Sequence, residues 1–92
     1  MPVSLREAET TKNLNGIDVG EYAEIAELLT KGSMRRRLLD IGLTPDTRVE
    51  CVGKSPAGDP KAFLIRGAVI AIRKEDCNEI LIKVQFTRDY TG

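Results

Sequence analysis

Apolar positions along this chain recur mostly every second residue. Thr47 to Val52 alternates, with Val49 and Cys51 on one side and Arg48 and Glu50 on the other, as a half-buried strand requires. Ala62 to Arg66 and Ala68 to Arg73 are two further strand-like runs around Gly67, which predicts a hairpin. Ala68, Ile70 and Ile72 share one face of the second run. Ile80, Ile82 and Val84 share a face of a last strand, Ile80 to Val84. Between these runs, Ser55-Pro56-Ala57-Gly58-Asp59-Pro60 reads as a loop, and Lys74 to Glu79 as one short helical turn.

One stretch keeps the other period. Met34, Leu38 and Ile41 stand at i, i+4 and i+7, one apolar face of a helix from Ser33 to Ile41. Ser33 is the expected N-cap. Gly42 suits the left-handed position that closes a helix, Leu43 can fold back onto Leu38 in a Schellman end, and Pro45 prevents continuation.

Glu21 to Leu29 is ambiguous. Its composition favours a helix, with Ile25, Leu28 and Leu29 at helical spacing, yet Ala23 and Ile25 inward and Glu24 outward also fit a strand. Residues 1–13 are polar and without clear period, and read as a flexible arm in which Val3 and Leu5 could add a short edge strand. The sequence thus divides into that arm, one domain over residues 14–85, and a tail over 86–92. Several short strands with one short helix suggest a small barrel, because closing the sheet removes its exposed edges.

Composition narrows the function. The 92 residues carry 14 basic and 14 acidic side chains, a formal net charge of zero, unlike the basic footprint of a general nucleic-acid binder. The only aromatics are Tyr22, Phe63, Phe86 and Tyr90, too few for base stacking. There is no histidine, the usual neutral-pH base and commonest metal ligand. Cys51 and Cys77 form no CxxC pair. The N-terminal stretch lacks the apolar run of about 7–15 residues that a signal peptide needs. Ala68 to Ile72, the longest apolar run, is far too short to cross a membrane. A reduced cytoplasmic protein is expected.

The stretch Gly32-Ser-Met-Arg-Arg-Arg-Leu-Leu-Asp40 is the main candidate for function. With Met34 at zero on a helical wheel, Arg35, Arg36 and Arg37 fall at about 100°, 200° and 300°, so they surround the exterior and form no single stripe. Asp40 lies near Arg36 and Arg37 and can pair with either. Three readings stay open: a solvated face whose arginine stems cover apolar neighbours, docking onto an acidic partner, and nucleic-acid contact.

The order RRRLLDIGLTPDTRVE, SPAGDP, LIRGAVIAIRKEDCNEILI resembles the FeoA family, the ferrous iron transport protein A domains. Arg36, Arg37, Leu38, Asp40, Gly42, Leu43, Pro45, Val49, Pro56, Gly58, Asp59, Pro60, Gly67, Ala71, Ile72 and Arg73 carry the resemblance, over about residues 14 to 84. Asp46 departs from it, since the family more often has glycine there. The resemblance implies a mainly β fold, a small SH3-like β-barrel with one or two short helices. It also implies a strand over Glu21 to Leu28, against local propensity. It further implies a partner, the membrane ferrous iron transporter FeoB, with docking on its cytoplasmic side that modulates uptake. Arg35, Arg36, Arg37, Asp59 and Pro60 are the candidate partner-binding residues.

No catalytic constellation accompanies them. The sequence has no G-x-x-x-x-G-K-[ST], no HExxH and no zinc cluster, and Ser and Thr lack an activating histidine. A non-enzyme is expected, with no cofactor, no catalytic or metal site, no nucleic-acid partner and no direct membrane insertion. Cys51 reads as a core residue. Cys77, beside Glu75, Asp76 and Glu79, reads as structural filler or as a weak carboxylate–thiolate site. Proline-rich ligand binding lacks the aromatic groove it needs. The alternative function is a metal-responsive regulatory domain of the SH3-like kind fused to iron-dependent repressors, although residues 1–13 cannot supply a helix-turn-helix.

Overall fold

A computed structural model of the chain describes residues 12–87. The expected edge strand at Val3 and Leu5 lies outside them, as does the end of the tail. A 3₁₀ turn, Leu14–Gly16, precedes β1 (Glu21–Leu28), α1 (Gly32–Asp40), β2 (Arg48–Lys54), β3 (Lys61–Ile65), β4 (Ala68–Ile72), α2 (Lys74–Cys77) and β5 (Ile80–Thr87). All strand pairs are antiparallel, in the order β4-β3-β2-β1-β5.

The chain is mainly β, as its two-residue period predicts. Closure into a barrel is not part of the pairing: among the described residues the ladder keeps two ends, β4 and β5. Residues 73–79 alone join those ends, and α2 occupies much of that link. A link so short requires the sheet to curl, and side chains from all five strands accordingly meet in one core. Ala23, Ile25, Val49, Cys51, Phe63, Ile65, Ile72, Ile80 and Ile82 are buried there, with Leu14, Ile17, Leu38, Leu43 and Cys77 filling its ends. Burying each large apolar side chain stabilises by about 1.5–3 kcal/mol.

β1 is a strand despite its helix-forming composition. It pairs with β2 and β5, and its register slips between Glu24 and Ile25 and again between Ile25 and Glu27. Such a bulge adds a residue and advances the side-chain phase. Ala23 and Ile25 alternate inward, and the next buried residue is Leu28 instead of Glu27.

α1 ends as its sequence predicts. Gly42 takes φ +104, Leu43 N–H donates to Leu38 C=O at 3.0 Å and Gly42 N–H to Leu39 C=O at 2.9 Å, the two bonds of a Schellman motif. Its start differs. Lys31 is the N-cap and makes no side-chain bond, because Gly32 at φ +62 opens the turn and places Ser33 already inside it. The β3–β4 hairpin closes on Arg66 and Gly67 at φ 49 and 87, both left-handed as a type I′ turn demands.

Asp46 also has positive φ, 74, and its carboxylate accepts from the Lys83 ammonium. Asp46→Gly removes the backbone penalty, but it also removes that exposed pair and frees the unfolded chain. These effects oppose one another. The variant is expected to melt within about 1 kcal/mol of the parent in thermal unfolding.

Candidate functional site

The core positions α1 by its inner face. Leu38 is buried, and Met34, Leu39 and Ile41 pack against the cluster. The arginines therefore stay outside, as the wheel predicts, and all three are exposed. They are not equivalent. Arg35 turns back to β1, where its Nη1 donates to the Leu28 carbonyl at 2.9 Å. Arg36 and Arg37 make no hydrogen bond or ion pair among the described residues, so the expected pairing with Asp40 does not form. Both guanidinium groups are available, with Ser33, Met34 and Asp40 around them on the outer side of α1.

Asp59 has a structural task as well. Its Oδ1 accepts the Lys74 N–H at 2.8 Å and thereby satisfies a donor in the first turn of α2. The loop before it is tied internally: Ser55 Oγ donates to Asp59 C=O at 2.8 Å, and Ser55 N–H to Pro60 C=O at 3.1 Å. Pro60 is exposed and follows a cis peptide bond.

Two clefts connect α1 to this loop. The first, about 320 Å³, lies between α1 and β4, with Met34, Leu38, Ile41, Ile70 and Ile72 as apolar floor and Arg37, Arg73 and Glu75 among its polar lining. The second, about 340 Å³, is lined by Asp59, Arg73, Lys74, Glu75 and Asn78. Arg73 and Glu75 line both, their side chains 3.6 Å apart. The structure thus joins Arg36, Arg37 and Asp59 in one band, leaves Pro60 at its margin, and turns Arg35 toward β1. Sequence reading missed Arg73 as a surface residue. Its signal was present, since Arg73 follows the alternating run that ends at Ile72.

Behind the band, Arg66 fixes the far end of α1. Its Nε donates to Gly42 C=O at 3.1 Å and its Nη2 to Thr47 Oγ1 at 3.3 Å. Thr47, itself buried, donates to the same Gly42 carbonyl at 3.1 Å.

Both thiols lie inside the core. Cys51 and Cys77 are fully buried, and both are free. Burial raises the Cys51 pKa and pushes that of Cys77 up to about 12, so each stays protonated near neutral pH. The burial of Cys77 is what its filler reading expects. Among the described residues no group of three or more Cys, Asp or Glu side chains could hold a metal ion. No helix among them is long and apolar enough to cross a membrane.

The molecule is a small curled sheet with a cationic helix packed against its core. A family model for the FeoA domain matches residues 12–84. The chain belongs to the FeoA family. That family is linked to ferrous iron transport. The solution structure of FeoA from Chlorobium tepidum is similar to this FeoA domain at 25% identity and a TM-score of 0.75, covering 79% of this chain and 70% of that one. The zinc complex of FeoA from Stenotrophomonas maltophilia, described as a prokaryotic SH3 domain protein, shares the fold at 19% identity and TM-score 0.74, covering 85% and 99%. A manganese-dependent transcriptional repressor shares it at 17% identity and TM-score 0.70, covering 79% of this chain and 36% of the repressor. No curated protein sequence matches the chain. The fold is accordingly SH3-like, as the resemblance implies, with its strand at Glu21–Leu28 present.

Proposed function

We propose that this FeoA domain is a non-catalytic accessory protein of the cytoplasm. It docks on the cytoplasmic side of FeoB and modulates ferrous iron uptake. The curled sheet serves as the small barrel of the family, and its surface band from α1 to the 55–60 loop is the docking face. The observation that supports this reading is the pair Arg36 and Arg37, exposed and without a bond among the described residues, on a helix whose other face is locked into the core. Guanidinium groups in that state suit bidentate contact with partner carboxylates. Asp59 and Pro60 present the opposite end of the band, and Arg35 supports α1 through its bond to Leu28.

The test is binding to the purified cytoplasmic domain of FeoB. Reversing all three arginines to glutamate is expected to weaken binding at least about tenfold, by loss of pairing and by new repulsion. Most of that loss should follow from Arg36→Glu and Arg37→Glu alone. Retained affinity in the triple variant would remove the helix from the mechanism.

A regulatory domain like those of metal-dependent repressors is the second reading. It rests on the fold likeness to the manganese-dependent repressor. A gel shift in which the domain retains DNA in a salt-dependent way would favour it.

A further inference from the structure

Among the described residues, none pairs with the outer edge of β4. β4 ends the sheet, and its five residues, Ala68-Val-Ile-Ala-Ile72, include no charge and no proline. Its register with β3 has no bulge. Natural edge strands are normally blunted by one of these devices, because unpaired N–H and C=O groups accept another strand. The opposite edge is treated differently. Along β5, Ile82 N–H already donates to Lys12 C=O at 2.9 Å, Asn13 bridges Leu81, and Lys83 adds a charge. On β4, Val69 is 63% exposed, the highest value among the exposed large hydrophobic residues whose burial is described.

The ladder says which groups are free. Ile65 and Ala68 close a two-residue turn and so exchange both backbone bonds. Alternation then points the backbone groups of Ala68, Ile70 and Ile72 toward β3, and those of Val69 and Ala71 outward.

We propose that this edge pairs with the same edge of a second copy, forming a two-fold antiparallel dimer centred on Ile70. The parity is self-complementary. A dyad through Ile70 sets Val69 opposite Ala71 of the second copy, joining outward-facing groups on both chains, and keeps all five residues in register. A dyad at any other residue leaves part of the strand unpaired.

Charge permits the pairing. Arg66 is already bonded to Gly42 and Thr47, and Arg73 is paired with Glu75, so neither end of β4 brings an uncommitted cation against its mate. The chain's formal net charge of zero removes the long-range repulsion that keeps copies apart. Ile70 of the second copy also lies beside the apolar floor formed by Met34, Ile41 and Ile70. One short strand makes a small interface, so the dimer belongs at the weak end of the affinity scale. The seam borders the α1–β4 cleft of the docking band, so pairing of two copies and docking on FeoB would compete for part of one surface, while the test below uses this chain alone.

Sedimentation equilibrium from about 10 μM to about 1 mM tests it. The parent protein is expected to pass from monomer to dimer, and the amides of Val69 and Ala71 to exchange more slowly as concentration rises. Ala71→Pro removes an outward N–H without touching the bonds to β3, and Val69→Lys puts an ammonium at the seam. Each should raise the dissociation constant at least about tenfold, a change well above measurement error on the affinity scale. Val52→Lys, an exposed change on β2, should leave it unaltered. Circular dichroism checks folding, and if Ala71→Pro fails to fold, Val69→Lys alone decides. A parent that stays monomeric up to about 1 mM overturns the proposal. So does a folded edge variant that dimerises as strongly as the parent, including the case in which a foreign strand is the true occupant.

Discussion

Raising the pH from 9 to 12 is expected to remove up to about 4 kcal/mol of stability through Cys77 alone, at about 1.36 kcal/mol per unit. The thiol is fully buried, and burial raises its pKa from the ordinary 9.0 to about 12. Well below pH 9 both folded and unfolded chains keep the proton, and stability does not depend on this group. Between the two values only the unfolded chain releases it, so unfolding is progressively favoured. Cys51 is raised by burial in the same direction. Lys83, raised by its bond to Asp46, also loses its contribution as pH rises, but it is solvent-exposed and adds little. Thermal melts from about pH 8 to 11 should show a steep decline in the parent and a shallower one in Cys77→Ala. Parallel slopes would show that the thiol is not buried as described. A domain of this size has a margin of only about 5–15 kcal/mol, so the decline should be visible well before pH 12.

Gly42→Ala should destabilise the domain by about 2–3 kcal/mol, lowering Tm by roughly 10–20 °C. Two causes act together. At φ +104 a side chain meets its own backbone, which costs about 1–2 kcal/mol. A Cβ there would also lie 2.4 Å from Arg66 Cδ, so the arginine must swing away and give up its bonds to Gly42 and Thr47. The double variant Gly42→Ala, Arg66→Ala separates these causes. It should be less destabilised than the sum of the single changes, by about 0.5–1 kcal/mol. Strict additivity would mean that Arg66 does not pack over Gly42.

Much of the fold was legible because its signals are local. The Schellman end at Gly42, the hairpin at Gly67 and the alternation of Val49 and Cys51 each depend on a few neighbouring residues. The N-cap was misplaced because Ser33 is a good cap chemically, while a left-handed Gly32 starts the helix one residue sooner. β1 was hardest. Its bulge places Ile25 and Leu28 on the same side three residues apart, a spacing that imitates a helix. The residues left helix and strand both open there, and the resemblance to FeoA decided for the strand.

The site was legible in outline. Three exposed arginines follow from one helical wheel. Their differences do not, since Arg35 meets a carbonyl seven residues earlier and the predicted Asp40 pair never forms. Arg73 and Glu75 link Arg37 to Asp59 through elements distant in sequence, which no local pattern reveals. Arg66 is similar: its partner Gly42 lies 24 positions away.

The irregularity in β1 also aims the helix that follows. Each residue added to a strand turns the direction of the next side chain by about half a revolution. Excising Ala26 would remove the slip between Ile25 and Glu27, turn Leu28 to solvent, and launch the following segment from the wrong side of the sheet. The cationic face would then swing off its axis while every arginine remained in the sequence. The slipped register therefore works as a gunsight, fixing where charge is presented without contributing any charge itself.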